Sequence, residues 1–315
     1  MLMRPKPLKK GGLAAVVAPS SPVSEEGVAL AAESIRYLGL NPLIMESCCL
    51  SHGYLSGPDE KRASDLNRAF SDPAVQGIFC IRGGYGAARL LPLLDFTTIC
   101  KHPKVFVGFS DVTALHLAFN QLCGFVTFHG PMPGAGYRRL DPFSLESLKQ
   151  NLFADQPQRA VMNPPGQALE VLYPGQADGI IVGGNLSLLL STLGSPYEVD
   201  TRGKLLFLEE VGEQPYRLDR ALTALALAGK FRDCTGILLG SFTQCEEPPA
   251  VAGSNRAQAA GGALSLTDIF REVIRPWKKP ALFNLRAGHT DPQITIPLGA
   301  QASFNTHRLS LRFSY

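Results

Sequence analysis

Short apolar runs alternate with helical patterns along the first half of the chain. The run LAAVVA (13–18) precedes the amphipathic stretch SEEGVALAAESIRYLGL, which leads into NPLIM as the next apolar run. Ser24 is a suitable N-cap for this helix, and the two glutamates after it suit the positive end of the helix dipole. Such alternation is typical of βαβ units. We therefore predict an α/β fold whose N-terminal part is a doubly wound, mainly parallel sheet.

The pattern changes between about residues 150 and 178, where Pro, Gly and Gln are frequent and no long period is visible. Beyond this segment, GIIVGGN, KLLFLEEV and CTGILLGSF predict strands, whereas LSLLLSTLG and RLDRALTALALAG predict helices. We predict an N-terminal α/β domain over 1–150, a linker over 151–177 and a second, mixed α/β domain over 178–315. The low-propensity stretch 245–266 is expected to be a long loop.

Composition narrows the class of protein. The 315 residues are 45% hydrophobic, which suits two domains of ordinary size. The net charge of +3 includes no basic block, so nucleic acid is not an expected partner. No run of about 18 apolar residues predicts a membrane span. LAAVVA is also shorter than the apolar core of about 7–15 residues that an export signal needs. We expect a soluble, cytoplasmic protein.

Cysteine and histidine spacing argues against metal chemistry. The seven cysteines form no C-x-x-C pair, and their odd number suits free thiols in a reducing compartment. No H-x-x-x-H or H-E-x-x-H spacing occurs. We expect neither a metal nor another cofactor.

The stretch KVFVGFSDVTALHLAFNQL (104–122) places Ser110 between an apolar strand and an amphipathic helix. Functional groups gather at the carboxyl ends of parallel strands. Gly108 would permit a tight bend that lifts the hydroxyl out of the sheet beside the N–H groups of the helix start, as in a nucleophile elbow. The motif departs from G-x-S-x-G at Val112. The alternative interpretation is that Ser110 or Asp111 simply caps the helix.

A serine nucleophile needs a base, an orienting acid and donors for an oxyanion. The turn CIRGGYGAARLL places Gly83, Gly84 and Gly86 after a strand, where their N–H groups could face a ligand. A phosphate cradle or a plain turn would have a similar sequence. Glu209 and Glu210 end an apolar strand, and one of them could orient a histidine; solvated charges at a strand end are the alternative.

Among the six histidines, His289 has the most favourable context for a general base. It lies in the loop LRAGHTDPQ after an apolar run, from which a side chain can reach across a cleft. His129 follows a strand in VTFHGPMPG and competes with it for a role in the site. His116, on the helix after Ser110, is expected to be packed or exposed rather than catalytic.

Six separated segments, in order along the chain, resemble the LD-carboxypeptidase family. They are RGGYGAARLL, GFSDVTALHLA, FVTFHGPM, GGNLSLL, LFLEEVGEQPYRLDR and AGHTDPQITIPLG. This family includes muramoyl-tetrapeptide carboxypeptidases and microcin C7 self-immunity proteins. The resemblance covers most of the chain and implies a serine-type carboxypeptidase on a two-domain α/β fold.

The resemblance implies a catalytic triad in the order Ser110, Glu209 and His289. Glu209 is chosen over Glu210 because it is the first acid after the apolar run. The resemblance also implies an oxyanion site made by the backbone amides of Gly83 and Asp111.

Substrate contacts are predicted for residues flanking this site, namely Arg82, Gly84, Gly184 and Asn185. Arg82 or backbone N–H groups would bind the free carboxylate that an exopeptidase must recognise. The implied reaction removes the terminal D-alanine from cytoplasmic murein tetrapeptides, and the implied assembly is a homodimer. Two alternatives remain open: cleavage of a toxic aminoacyl-nucleotide conjugate, as in self-immunity, and muropeptide binding without catalysis.

Overall fold

The computed structural model describes residues 2–154, 158–246 and 264–315. The strands are β1 (Leu13–Val17), β2 (Asn41–Ile44), β3 (Val75–Cys80), β4 (Val105–Gly108), β5 (Thr127–His129), β6 (Gln158–Val161), β7 (Glu170–Tyr173), β8 (Gln176–Asn185), β9 (Leu205–Val211), β10 (Gly236–Thr243), β11 (Ala281–Phe283), β12 (Ile296–Leu298), β13 (Gln301–Asn305) and β14 (Ser310–Ser314). The helices are α1 (Glu25–Tyr37), α2 (Asp59–Ser71), α3 (Phe96–Lys101), α4 (Thr113–Ala118), α5 (Pro142–Phe153), α6 (Leu186–Ser191), α7 (Pro215–Leu227), α8 (Lys230–Asp233) and α9 (Leu266–Ile269).

The first sheet has the strand order β2-β1-β3-β4-β5-β12. Its first five strands are parallel, and β12 runs antiparallel to β5. Helices cover both faces: residues of α1 and α5 pack with Ala14 and Val16 of β1, whereas residues of α2 and α4 pack with Ala15 and Val17. The apolar run LAAVVA therefore forms a strand that is buried on both faces, as parallel sheets require. The predicted doubly wound, mainly parallel sheet is confirmed.

The second sheet has eight strands in the order β6-β14-β13-β8-β9-β10-β11-β7. The central strands β8 to β11 are parallel, and the outer strands pair antiparallel. This arrangement confirms a second, mixed α/β part. Within the described residues, no helix is both long enough and apolar enough to cross a membrane.

Two segments differ from the sequence-based picture. The predicted linker 151–177 contains β6 and β7, which form the two edges of the second sheet. In addition, β12 belongs to the predicted C-terminal domain but joins the first sheet. Both differences involve strands of three or four residues. Their partner strands are distant in the sequence, so the local sequence does not predict the pairing. The domain boundaries themselves stay a prediction, and most of the predicted loop 245–266 lies outside the described residues.

The expectation that all seven cysteines are free thiols is wrong for two of them. Cys100 and Cys123 form a disulfide that links the end of α3 with the segment following α4. Packing of these two helical segments brings the sulfurs together over 23 residues of sequence, and no short cysteine motif signals such a pair. The other five cysteines are free.

Candidate active site

Ser110 lies at a sharp turn between β4 and α4. Its φ of 65° is in the left-handed region, which is uncommon for a residue other than glycine. A short 3-10 turn, Ser110–Val112, leads directly into α4. A Cβ atom on Gly108 would lie 2.8 Å from Val112 Cγ1, so this bend requires glycine there. The structure thus has the strand-to-helix turn that the sequence predicts at Ser110.

The glycine turn after β3 lies directly against this serine. A Cβ atom on Gly83 would be 2.9 Å from Ser110 Cβ and 3.0 Å from Ser110 Oγ. The Asp111 carboxylate holds the turn in place, because its Oδ2 accepts hydrogen bonds from Ser20 Oγ (2.6 Å) and Ala87 N (2.8 Å). Burial raises the pKa of Asp111, and the two hydrogen bonds oppose that rise. The Asp111 side chain therefore has a structural task that sequence reasoning missed.

Arg62, on α2, stabilises the glycine turn from the opposite side. Its side chain is fully buried and donates hydrogen bonds to the carbonyl oxygens of Pro19 and, at 3.1 Å, Gly86. It also pairs with the carboxylate of Asp59. A guanidinium with several donors in a rigid fork suits such multiple contacts. No sequence motif marks Arg62, because the two carbonyl groups that it binds lie 24 and 43 residues away.

Arg82 and Gly84 are exposed beside this turn. The guanidinium of Arg82 donates a hydrogen bond of 3.1 Å to the carbonyl oxygen of Pro22. A Cβ atom on Gly84 would lie 2.2 Å from Ser21 Oγ, so the turn approaches the β1 loop closely. Their predicted contacts with substrate stay a prediction.

Glu209 and His289 contact each other at the carboxyl end of the second sheet. Glu209 Oε2 accepts hydrogen bonds from His289 Nδ1 (2.7 Å) and from the backbone N–H of His289 (3.1 Å). Gly288, with φ 98°, makes room for the acid, because a Cβ atom there would lie 2.4 Å from Oε2. The contact places the proton of a neutral His289 ring on Nδ1 and leaves Nε2 as the basic atom.

Glu210 points to the opposite side of β9, as alternation along a strand requires. Its Oε1 accepts a hydrogen bond from Asn185 Nδ2 (2.8 Å), and its Oε2 accepts from Ser187 N (2.8 Å) and Oγ (2.6 Å). Glu210 thus fixes the start of α6 and is fully occupied there. Of the two acids, Glu209 is the one that contacts His289.

The two halves of the site meet around Phe109 and Thr113. The centroid of the Phe109 ring, next to Ser110 in the chain, is 4.8 Å from that of His289. In the described ranges no hydrogen bond joins Ser110 Oγ to His289; in unliganded hydrolases this contact is often long and tightens with substrate. Thr113 Oγ1 accepts a hydrogen bond of 3.0 Å from Asn185 N, and a Cβ on Gly184 would lie 2.6 Å from the same oxygen.

Gly184 and Asn185 therefore connect β8 to the start of α4. Asn185 is buried, and its side chain also caps α6 by accepting a hydrogen bond from Leu188 N. Their predicted contact with substrate stays a prediction.

Two buried histidines lie behind the site. His129, at the end of β5, is fully buried, and its Nε2 is 3.9 Å from Glu209 Oε1. His116 donates through Nε2 to the Gly108 carbonyl oxygen at 2.9 Å, and burial lowers its pKa to about 4. His116 is thus packed, as one of the two expected options had it. In the part of the chain that the structure describes, no group of three or more His, Cys, Asp or Glu side chains could hold a metal ion.

Comparison with known proteins identifies the family. Residues 14–130 match the model of the LD-carboxypeptidase N-terminal domain, and residues 178–304 match that of the C-terminal domain. A probable murein peptide carboxypeptidase of Bacillus subtilis is 41% identical, over 96% of this chain and 92% of its own length. This chain belongs to the LD-carboxypeptidase family. The family consists of serine peptidases, and the chain is a serine-type carboxypeptidase.

Solved structures agree with this LD-carboxypeptidase fold. A muramoyltetrapeptide carboxypeptidase from Oxalobacter formigenes matches with a TM-score of 0.81 and 25% identity, over 96% of this chain and 97% of that one. The microcin C7 self-immunity protein MccF matches with a TM-score of 0.87 and 22% identity, over 100% of this chain and 98% of that one. The likeness to MccF shows the fold alone.

Proposed function

We propose that this LD-carboxypeptidase removes the terminal D-alanine of murein tetrapeptides through Ser110, Glu209 and His289. The observation that carries the proposal is the 2.7 Å contact between His289 Nδ1 and Glu209 Oε2, beside the strained turn that holds Ser110. The names of the Bacillus subtilis and Oxalobacter formigenes relatives, which refer to murein peptide and muramoyltetrapeptide, support the substrate class.

In the proposed mechanism His289 Nε2 removes the proton of Ser110 Oγ as this oxygen attacks the carbonyl carbon of the scissile amide. Glu209 holds the ring in the Nδ1–H tautomer and stabilises the imidazolium. The backbone N–H groups of Gly83 and Asp111 donate hydrogen bonds to the carbonyl oxygen as it becomes negatively charged.

Collapse of this intermediate breaks the amide bond, and His289 returns the proton to the departing amine of D-alanine. A water molecule, deprotonated by the same imidazole, then attacks the ester between the peptide and Ser110, and His289 returns this proton to Ser110 Oγ as the ester bond breaks. The enzyme ends in its starting protonation state.

Substrate binding is assigned to the surface around the glycine turn. The exposed guanidinium of Arg82 supports a role in binding the free carboxylate of D-alanine, since Arg binds carboxylates in bidentate fashion. The backbone of Gly84 and the β8 turn with Gly184 and Asn185 would contact the remainder of the peptide. We also infer action in the cytoplasm, during cell-wall recycling, and assembly as a homodimer, which light scattering of the purified chain tests.

The proposal is tested by mass spectrometry of murein tetrapeptide incubated with the wild type and with Ser110→Ala. The wild type should release one alanine, and Ser110→Ala should lower kcat by at least about three orders of magnitude. A toxic aminoacyl-nucleotide conjugate is incubated in parallel. Exclusive turnover of this conjugate would favour the self-immunity reaction, and binding of tetrapeptide without cleavage would favour a binding protein.

The neighbouring acids provide a matched control for the triad. Glu209→Gln should reduce kcat by about 10³–10⁴, because the base then loses its tautomer and its counter-charge. Glu210→Gln, one residue along the same strand, should keep most of the activity. A folded Glu210→Gln enzyme without activity, beside an active Glu209→Gln enzyme, would overturn the assignment of the triad acid.

A further inference from the structure

We propose that His129 is a positioning residue for Glu209, donating its Nε2–H to the carboxylate oxygen that does not contact His289. This inference rests on the proposed function, because the position of Glu209 affects the reaction only if Glu209 orients the base. It adds a fourth side chain to the arrangement and joins the acid to the sheet that carries the nucleophile.

The first observation is an unequal distribution of donors on a fully buried carboxylate. Glu209 Oε2 accepts two hydrogen bonds from His289, whereas Oε1 has no hydrogen-bond partner among the described residues. A buried carboxylate oxygen without a donor is costly. Both ring nitrogens of His129 are likewise buried without a partner in the described part of the chain.

The second observation is that these groups face each other. His129 Nε2 and Glu209 Oε1 are 3.9 Å apart, and a movement of about 1 Å brings them within hydrogen-bond distance. The rings of Phe109 and Phe207 pack edge-on against His129, with centroids at 5.7 Å and 5.4 Å. Aromatic rings packed in this way hold the imidazole in place.

The third observation concerns the charge of the ring. Burial lowers the pKa of His129 well below its ordinary value, and the neighbouring His116 and His289 lower it further. The ring is therefore neutral, so it acts as a hydrogen-bond donor and not as a cation. A neutral donor stabilises the carboxylate without cancelling the negative charge that His289 needs.

The fourth observation is the position of His129 in the fold. It lies on β5 opposite Gly108 of β4, two residues before Ser110, whereas Glu209 lies on β9 of the second sheet. A hydrogen bond from His129 to Glu209 therefore connects the sheet of the nucleophile to the acid and base of the other sheet. Such a contact keeps the base aligned with the nucleophile within the small tolerance that catalysis allows.

The test compares His129→Leu, which removes the donor, with His129→Gln, whose amide nitrogen lies near the position of Nε2. For His129→Leu we expect kcat to fall by about 10–100-fold and KM to change by less than about twofold. This range is the one seen when hydrogen-bond partners of metal-ligating residues are removed. His129→Gln should recover most of kcat. Thr127→Val is the matched control: Thr127 is also fully buried on β5, and it accepts a hydrogen bond from Asn120 rather than contacting Glu209.

Proton NMR gives a readout that does not depend on turnover. The Nδ1–H resonance of His289 should shift in His129→Leu and stay in place in His129→Gln and Thr127→Val. Should His129→Leu not fold, His129→Asn replaces it, since its shorter side chain withdraws the donor but keeps the polarity.

The outcomes separate this inference from the proposed function. Full kcat in folded His129→Leu, or an equal loss in His129→Gln and His129→Leu, overturns the positioning role while tetrapeptide cleavage by the wild type stands. A wild type that does not cleave tetrapeptide overturns the proposed function, and the NMR comparison still decides whether His129 acts on the Glu209–His289 pair.

Discussion

The backbone of Ser110 is strained where its side chain is proposed to react. A left-handed conformation costs a residue that carries a Cβ atom about 1–2 kcal/mol, and Ser110 has φ 65°. Its neighbours enforce this turn, because Gly108 allows the bend and the Asp111 carboxylate is bound by Ser20 and Ala87. Strain of this kind is maintained at functional sites when the surrounding structure determines it.

This strain predicts an unusual order of stability between two variants of Ser110. Ser110→Gly should be more stable than Ser110→Ala by about 1 kcal/mol, because glycine adopts positive φ without steric cost. Urea unfolding of both variants measures the difference. At the exposed Ser64 within α2, the order should be reversed, since glycine destabilises a helix relative to alanine. Alanine more stable than glycine at both positions would show that the turn at Ser110 is unstrained.

At the scale of elements, the local sequence pattern predicts the secondary structure of segments that are long and periodic. The amphipathic period of α1, with Ser24 as its N-cap, and the buried run of β1 are both visible in the sequence and both occur in the structure. The short edge strands β6 and β7 were not predictable, because their pairing depends on distant strands.

The same distinction between local and long-range features applies to the residues of the candidate site. The strand-turn-helix at Ser110 is a local feature, so the sequence alone indicated it. The contact between Glu209 and His289 spans 80 residues, and that between Ser20 and Asp111 spans 91. Spacing alone carries no information on such contacts. The resemblance to a family supplied the first pair, and nothing in the sequence supplied the second.

Arg62 and Arg89 both pair with Asp59, and only Arg62 connects α2 to the glycine turn. We therefore predict that replacing the two arginines changes the stability of the protein by very different amounts. Arg62→Met should lower the free energy of unfolding by about 3 kcal/mol, because the pairing of the buried guanidinium with the partly buried Asp59 and the hydrogen bonds to Pro19 and Gly86 are lost together. Arg89→Met removes the exposed partner of the same Asp59 and should change stability little. Urea unfolding of both variants checks this. Equal effects would contradict the structural role of Arg62.

At the scale of the whole molecule, the candidate site depends on both sheets. Ser110 follows β4 and His129 ends β5 in the first sheet, whereas Glu209 lies on β9 of the second sheet and His289 follows β11. The C-terminal strands connect the two sheets, because β12 pairs with β5, whereas β13, separated from β12 by two residues, pairs with β8. A chain whose last strands bind both sheets restricts their relative movement, which a site divided between them requires.

Two carboxyl groups form a second connection between the two halves of the molecule. Their interaction makes the stability of the protein depend on pH. The carboxyl group of Asp141, the N-cap of α5, interacts with that of Asp291, which follows His289 by two residues. The hydrogen bond to Asp141 raises the pKa of Asp291, and burial adds to the rise, while the positive charge of Arg286 opposes it. Burial also acts to raise the pKa of Asp141, but hydrogen bonds from Ser144 and Asp291 lower it overall.

The stabilisation from Asp291 is therefore present when its carboxyl is protonated and is lost as pH rises through its raised pKa. Asp291→Asn keeps an N–H donor for Asp141 at every pH. The variant should consequently be more stable than the wild type at pH 7, and the difference should shrink as pH falls to about 4, near the ordinary pKa of an aspartate. Urea unfolding at a series of pH values measures both curves, with Asp219→Asn on α7 as a control for the same change of charge. A constant difference between Asp291→Asn and the wild type over this range would show that the two carboxyl groups share no proton.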